Sequence, residues 1–205
     1  MPMTNATMSS SAAGAGAVSS RDRLLDAAAK LFYEQGVHIG VDAVCRAAGV
    51  SKRSMYQLFD SKDDLVAASL LERTAPDYQG SLLPADDDDR PPRARILHVF
   101  ERFEDLERTH EFRGCPFVAA AVQVKAPEHP ASVVARRQKD KLTSFFQHEA
   151  ERGGANDPAR LARQLTLVLD GASARSVVQA ERLDCLAVET AGTLLDAAGI
   201  VDSSA

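Results

Sequence analysis

Ala47-Ala48-Gly49-Val50-Ser51-Lys52-Arg53-Ser54-Met55-Tyr56-Gln57-Leu58-Phe59-Asp60-Ser61-Lys62 is the stretch that decides the fold. Ahead of it, Val41 to Ala48 reads as a short helix with Val44 and Ala47/Ala48 on one face. Gly49 stands where a helix end needs a residue tolerant of positive φ. Val50 can plug the crook between two helices, and Ser51 is a good N-cap for the next one. Within that helix Met55, Leu58 and Phe59 fall at i, i+3 and i+4, which predicts a buried stripe. Lys52, Arg53, Tyr56 and Gln57 are left on the other side. Two short helices meeting at a sharp glycine turn form the layout of a helix-turn-helix, whose second helix enters the DNA major groove.

The flanks fit that layout. Ser20 to Gln35 predicts an amphipathic helix with Leu24, Leu25, Ala28, Leu31 and Phe32 at helical spacing, closed by Gly36. It can bridge the other two helices and shield their stripe. Ser61-Lys62-Asp63-Asp64 opens a further helix with a capping-box-like S-x-x-D. The whole chain has 205 residues and a net charge of −5, so it is no general nucleic-acid coater. Between Ala43 and Lys62, however, the cations Arg46, Lys52, Arg53 and Lys62 face Asp60 alone. Lysine and arginine neutralise phosphate or reach guanine, glutamine pairs with adenine, and a tyrosine hydroxyl bonds a phosphate oxygen. Specific reading by so small a module normally needs two copies on a two-fold site.

The run GVHIGVDAVCRAAGVSKRSMYQLFDSKDDLVAASL, residues 36–70, resembles the N-terminal domain of the TetR/AcrR family of bacterial transcriptional regulators. The glycine turn, the following Val-Ser, the Tyr-x-x-Phe and the Ser-Lys-x-x-Leu are all in register. The resemblance implies DNA-facing roles for Lys52, Arg53, Ser54, Tyr56 and Gln57, with Tyr56 and Lys62 as phosphate contacts. Arg46 and Ser51 complete the candidate DNA-binding set. One departure matters: many members carry a threonine where this chain has Gly40. Asp42 or a backbone group is then expected to cap the second helix.

Residues 1–19 are rich in Ser, Ala, Gly and Thr without a cationic or apolar leader, which predicts a flexible tail rather than a signal peptide. No apolar run approaches a membrane span. Three cysteines, Cys45, Cys115 and Cys185, lack metal-like spacing and suit a reducing cytoplasm. The expected organisation is all-α: a three-helix helix-turn-helix domain over residues 20–66, then a helical ligand-binding and dimerisation domain over 67–200, about nine helices in total. Pro76 to Pro92, with Asp86-Asp87-Asp88-Asp89, reads as a solvated linker. Helices follow from about Arg93 to His110, Pro116 to Lys125 (almost wholly apolar, so expected to be buried on most sides) and Ala131 to Arg152. Asp157-Pro158 is an N-cap with proline at the first helical position, starting a helix to about Ala180. The last helix runs from about Asp184 to Ala198.

The helix after Asp157-Pro158 is apolar on more than one face, with Leu161, Leu165, Val168, Leu169 and Ala172, plus Leu167, Gly171, Ala174 and Val178, and the last helix repeats this with Leu186, Ala187, Val188, Thr190, Leu194 and Leu195. A second apolar face needs a second partner, which predicts a homodimer through a four-helix interface. Its candidates are Leu165, Leu169, Ala172, Val178, Leu186, Ala187, Thr190 and Leu194. The phrases RGCPFVAAAVQ, His129-Pro130 and LTLVLDGA resemble a TetR/AcrR subgroup as well. By that resemblance the body would hold an inducer pocket, with Phe100, Phe103, Phe117, Ala121, Phe145 and Leu169 as lining and Gln123 or Arg175 as polar anchors. Such a pocket would favour a largely apolar small molecule with one or two polar groups.

Cys115 beside Arg113 is a candidate redox thiol, but a packing role is the favoured reading, since Arg113 is the only nearby sign of an electropositive setting. His98, His110, Cys115, His129 and His148 lack the paired spacing of a zinc motif. No nucleophile elbow, phosphate-binding glycine loop or H-E-x-x-H appears. The sequence therefore predicts a cytoplasmic, cofactor-free, non-enzymatic regulator whose partners are an operator duplex, a second copy and an unidentified small-molecule effector. A repressor released by its ligand is the leading reading. An activator or a ligand-independent regulator of the same fold is the alternative, and a helical protein-interaction module is the rival from another class.

Overall fold

Side chains placed at helix starts explain why the chain breaks where it does. The computed structural model describes residues 18–201. Ser19 Oγ accepts from the Asp22 N–H at 3.1 Å, Ser51 Oγ from Ser54 N–H at 3.0 Å, and Ser61 Oγ from Asp64 N–H at 3.0 Å. His129 Nδ1 and Asp157 Oδ1 do the same for two long helices further on. Each satisfies a backbone donor that a helix leaves without an internal partner. The elements are α1 (Ser20–Gln35), α2 (Val41–Ala48), α3 (Lys52–Leu58), α4 (Lys62–Ser69), a π-helical turn (Leu70–Thr74), α5 (Ala75–Leu82), α6 (Pro92–Glu107), α7 (Pro116–Val124), α8 (Pro130–Arg152), α9 (Pro158–Gln179) and α10 (Leu186–Ala197). No strand occurs among the described residues. The segment from α4 through the π turn to α5 is one unbroken rod, and counting it once gives nine helices among the described residues, against about nine expected.

That rod corrects the linker expected from Pro76 onward. Pro76 sits in the first turn of α5, and the Ala75 N–H reaches back to Leu70 O in the wider π pattern. Helix continuing through a π turn absorbs a proline that would break a regular α-helix. The true connection spans 83–91, held by Arg90 on Asp88 and by Arg95, which donates to the carbonyls of Ala85 and Asp88.

Two hydrophobic cores form. One joins α1 to α4 with part of the body: Leu24, Phe32, Val44, Met55 and Leu65 share it with Phe117, Ala120, Ala131 and Val134. The other lies wholly in the body, around Phe100, Phe103, Phe146, Leu165 and Leu195. The head therefore does not close its own core near residue 66, because α7 and the start of α8 complete it. Two buried charge groups brace the second core. Glu104, 3 % exposed, accepts from the N–H groups of Cys185, Ala187 and Val188, so a carboxylate from α6 caps the start of α10. Glu149, 1 % exposed, takes Arg95 at 3.0 Å and Arg152 at 2.6 Å.

Two local expectations need correction. Leu58 is 41 % exposed whereas Phe59 is buried, because the helix stops at Leu58 and Phe59 takes an extended backbone that turns its ring inward. The apolar α7 is buried only along Pro116, Phe117 and Ala120, and Val122 is exposed. The tail at residues 1–17 lies outside the described residues.

Candidate nucleic-acid interface

Gly49 closes α2 at φ +62°, and its N–H and that of Val50 bond back to Arg46 O and Cys45 O. A side chain at this φ is strained, so the turn selects glycine. Val50 is buried in the crook. Arg23 of α1 braces the turn by donating from Nε to Ala48 O at 3.0 Å, a long-range contact that no sequence spacing announces. These fastenings leave α3 as a short helix with one face on the core through Met55 and the other open.

On the open face Arg53, Tyr56 and Gln57 are exposed, and Arg46 joins them from α2. Their side chains make no hydrogen bond to the described residues. Lys62, half-buried at the first position of α4, lies at the end of the same run. Ser51 and Ser54 are also there, but their hydroxyls bond to each other at 2.8 Å in the N-cap, which orders the helix start before any ligand arrives. Lys52 is not free: its Nζ lies 3.1 Å from Asp42 Oδ1. The hydrogen bond that Lys52 donates to Asp42, followed by the carboxylate's charge, raises the Lys52 ammonium above its ordinary value. Of the two caps expected for α2, the backbone group serves and Asp42 does not: the Ala43 N–H donates to Gly40 O at 3.1 Å. Gly40 begins α2 with no side-chain cap, and the Asp42 carboxylate reaches across to α3 instead.

Three polar clamps join α1, the loop after it and α4 to the body. The Val37 N–H donates to Gln123 Oε1 at 2.8 Å. Tyr33 OH accepts from the Arg113 N–H at 2.8 Å and donates to Gly114 O at 3.2 Å. His129 Nε2 lies 3.2 Å from Asp63 Oδ2, beside Lys62. Because His129 Nδ1 accepts from the Ala131 N–H, its ring proton sits on Nε2 and points at Asp63. Salt bridges from Arg21 to Glu72 and from Arg73 to Asp22 and Asp26 fix α1 against the π turn.

The residues expected around an inducer are dispersed. Phe100 and Phe103 are fully buried, Phe100 stacked on Phe146 and Phe103 edge-on to Phe112. Leu169 is packed in the same core, and Phe145 lies under the Arg95 guanidinium. Gln123 serves the Val37 clamp and Arg175 is exposed. Phe117 and Ala121 line a shallow hollow of about 470 Å³ between α7 and α8. A larger cleft of about 820 Å³ opens elsewhere, between α1, the π turn, α5 and the α6–α7 corner, and none of the expected residues lines it.

The expected dimer residues divide by burial. Leu165, Leu169, Ala172 and Ala187 are interior to the protomer and cannot meet a partner. Leu194 is half-buried, while Val178, Leu186 and Thr190 face outward. Leu167, at 72 % exposure, and Val178, at 77 %, bracket Gly171 and Ala174 on one outward strip of α9. No helix of the described residues is long and apolar enough to cross a membrane, and no group of three His, Cys, Asp or Glu among them is placed to hold a metal ion. Cys115 is buried, its N–H held by Ser173 Oγ at 2.7 Å.

Comparison with known proteins agrees with this geometry. The family model "Bacterial regulatory proteins, tetR family" matches residues 24–69, which cover most of α1 through α4. The crystal structure of a TetR transcriptional regulator from Streptomyces avermitilis is 56 % identical, with a TM-score of 0.87 over 90 % of this chain and 100 % of that one. The HTH-type transcriptional regulator YjdC of Escherichia coli is 27 % identical over 110 residues, 54 % of this chain and 56 % of YjdC. The HTH-type transcriptional activator FasR of Mycolicibacterium smegmatis is 32 % identical over 114 residues, 55 % of this chain and 51 % of FasR. The matched stretch thus spans about half the length of these two curated relatives.

Proposed function

The chain belongs to the TetR family of bacterial transcriptional regulators, and from that premise we propose that it is a ligand-released repressor binding a pseudo-palindromic operator as a homodimer. The observation that carries the DNA half of this reading is the open face of α3, where Arg53, Tyr56 and Gln57 are held out to solvent by a capped, braced turn. Arg53 and Gln57 read base edges; Tyr56, Lys62 and Arg46 bind phosphates. Two such helices about one DNA turn apart, roughly 34–36 Å, engage successive major grooves. The outward strip Leu167, Gly171, Ala174 and Val178, with Leu186 and Thr190 of the α10 region, supports the dimer: it is apolar or small and has no cover within the protomer. A ligand that prefers the conformation with the wrong head spacing withdraws the dimer from DNA, to the extent of its differential affinity.

Fluorescence anisotropy with the DNA upstream of the protein's own gene, across a salt series, tests the reading. A selective shift that weakens steeply with salt is expected. A helical protein-interaction module would give no selective shift, and that result would remove the proposal. FasR, an activator by name, favours one second reading: the same DNA contact raising transcription. A promoter–reporter fusion with and without the gene separates the two by sign.

A further inference from the structure

We infer that the effector site is the 820 Å³ cleft between the head and the α6–α7 corner, and that its ligand is an organic cation with an apolar body. The inference rests on the ligand-released reading above and names where and what the ligand is. The cleft has the size of a small-molecule site, whereas the second core of the body is packed with fully buried side chains. Its walls come from both parts of the molecule: Tyr33 and Lys30 from α1 in the head, Asp77 and Tyr78 from α5, Glu111 and Phe112 from the corner. An occupant therefore touches the DNA-binding domain and the body at once.

Charge selects the ligand. Two of the three cations on these walls are ion-paired. Lys30 lies 4.0 Å from Glu34, and Arg73 holds Asp22 and Asp26 at 2.5 and 2.6 Å. The Arg113 guanidinium donates to the carbonyls of His110 and Phe112 at 2.8 and 2.9 Å. Those carbonyls leave the Arg113 charge in place, but Asp77 and Glu111 have no ion pair or side-chain hydrogen bond among the described residues, so the unpaired carboxylates stand two to one against Arg113 and the charge left for a ligand is negative. Tyr33, Tyr78 and Phe112 supply three aromatic rings, whose faces attract a cation. Burial raises both tyrosine hydroxyls above their ordinary value, so these walls stay neutral phenols. Tyr33 is also the clamp that ties α1 to the corner, so a ligand wedged beside it bears on the head directly.

The test is isothermal titration of the full chain with tetraphenylphosphonium, and with tetraphenylborate as an anion of the same shape. The phosphonium is expected to bind and the borate not. Asp77→Asn and Glu111→Gln should each weaken binding about 2- to 5-fold, in line with exposed charge pairs, and together about 10-fold. Both positions are exposed, so both variants should fold, which a melting curve verifies. Tyr33→Phe keeps the ring and should still bind. Equal binding of the borate, no binding of the phosphonium at millimolar concentration, or an unchanged double variant overturns the site. Operator binding is measured first without either ion: failure there overturns the regulator reading itself, independently of the titration. Phosphonium binding that leaves operator affinity unchanged overturns the effector role.

Discussion

Replacing Gln123 by alanine should loosen the head without touching DNA or core. Its Oε1 accepts the Val37 N–H at 2.8 Å, and Val37 is 8 % exposed, so the truncation strands a largely buried donor. The loop is built around that amide: a Cβ on Gly36 would come within 2.6 Å of Gln123 Oε1. An unsatisfied buried donor costs about 1–3 kcal/mol. For a chain of this size each kcal/mol lowers Tm by about 2–4 °C, so Gln123→Ala should melt about 2–12 °C below the parent. Gln123→Glu keeps an acceptor oxygen in place and should recover most of that loss. Operator affinity should fall with the alanine variant in step with the fraction of heads no longer held in the binding orientation. Circular-dichroism melting and operator anisotropy on the three proteins give both numbers. An alanine variant melting within about 1 °C of the parent, or a glutamate variant as unstable as the alanine one, would refute the clamp.

Asp42→Asn releases Lys52 to a phosphate, so the slope of log affinity against log salt should steepen by about 0.9 per protomer; an unchanged slope means Lys52 does not meet DNA. Tyr56→Phe and Lys62→Ala should weaken operator and non-operator duplexes together, whereas Gln57→Ala should change which sequences bind, and equal loss on all duplexes would remove Gln57 as a base reader. The hydrogen bond from Arg21 holds the Glu72 carboxyl below its ordinary 4.5, and Ser19, then Arg73, hold Asp22 below 3.8. Both contributions are full above those ordinary values and are lost as pH falls through the lowered ones. Urea midpoints at successive pH values below 5 should therefore drop less steeply for Glu72→Gln than for the parent; parallel curves would show that the bridge carries no acid sensitivity. Val178→Glu places a charge in the outward strip of α9 and should shift the protein from dimer to monomer in light scattering, with loss of operator binding; an intact dimer would move the interface elsewhere.

What could be read from the sequence was local. Gly49, Ser51, Ser61 and Asp157 act on backbone groups a few residues away, so their effect is the same in the chain as in the fold. Leu58 departs from its expected burial, while Phe59 keeps it, because helical spacing says nothing about the residue at which a helix stops. The cationic island seemed nearly unopposed when counted from Ala43. Asp42, one residue outside that window, pairs with Lys52 across the turn. The two apolar faces of α9 were visible, but not which one turns inward; Leu165 and Leu169 do so because they complete the core of Phe100 and Phe146. Aromatics at regular spacing proved to be that core. The cleft is assembled instead from α1, α5 and a loop corner, whose residues share no period.

The division of the hydrophobic cores constrains how such a regulator can respond. Because α1 to α4 share one core with α7 and the start of α8, the head cannot tilt on its own without exposing Phe117, Ala120 and Val134. Exposing apolar surface on that scale costs more than a ligand gains from one or two polar contacts. A motion between the first core and the second would cross the π turn and α5 and would have to carry or bend α8, whose Ala131 and Val134 lie in one core and whose Leu142 and Phe146 lie in the other. Tyr78 is the side chain packed against both, with its ring edge-on to Phe117 at 5.8 Å and its other side on the cleft. A ligand in the cleft gains differential affinity only from a conformation in which Tyr78 and the Tyr33 clamp shift together, since those are the groups it touches on either side of the joint. The two readers of a dimer would then change spacing as rigid bodies, with α3 unaltered in each.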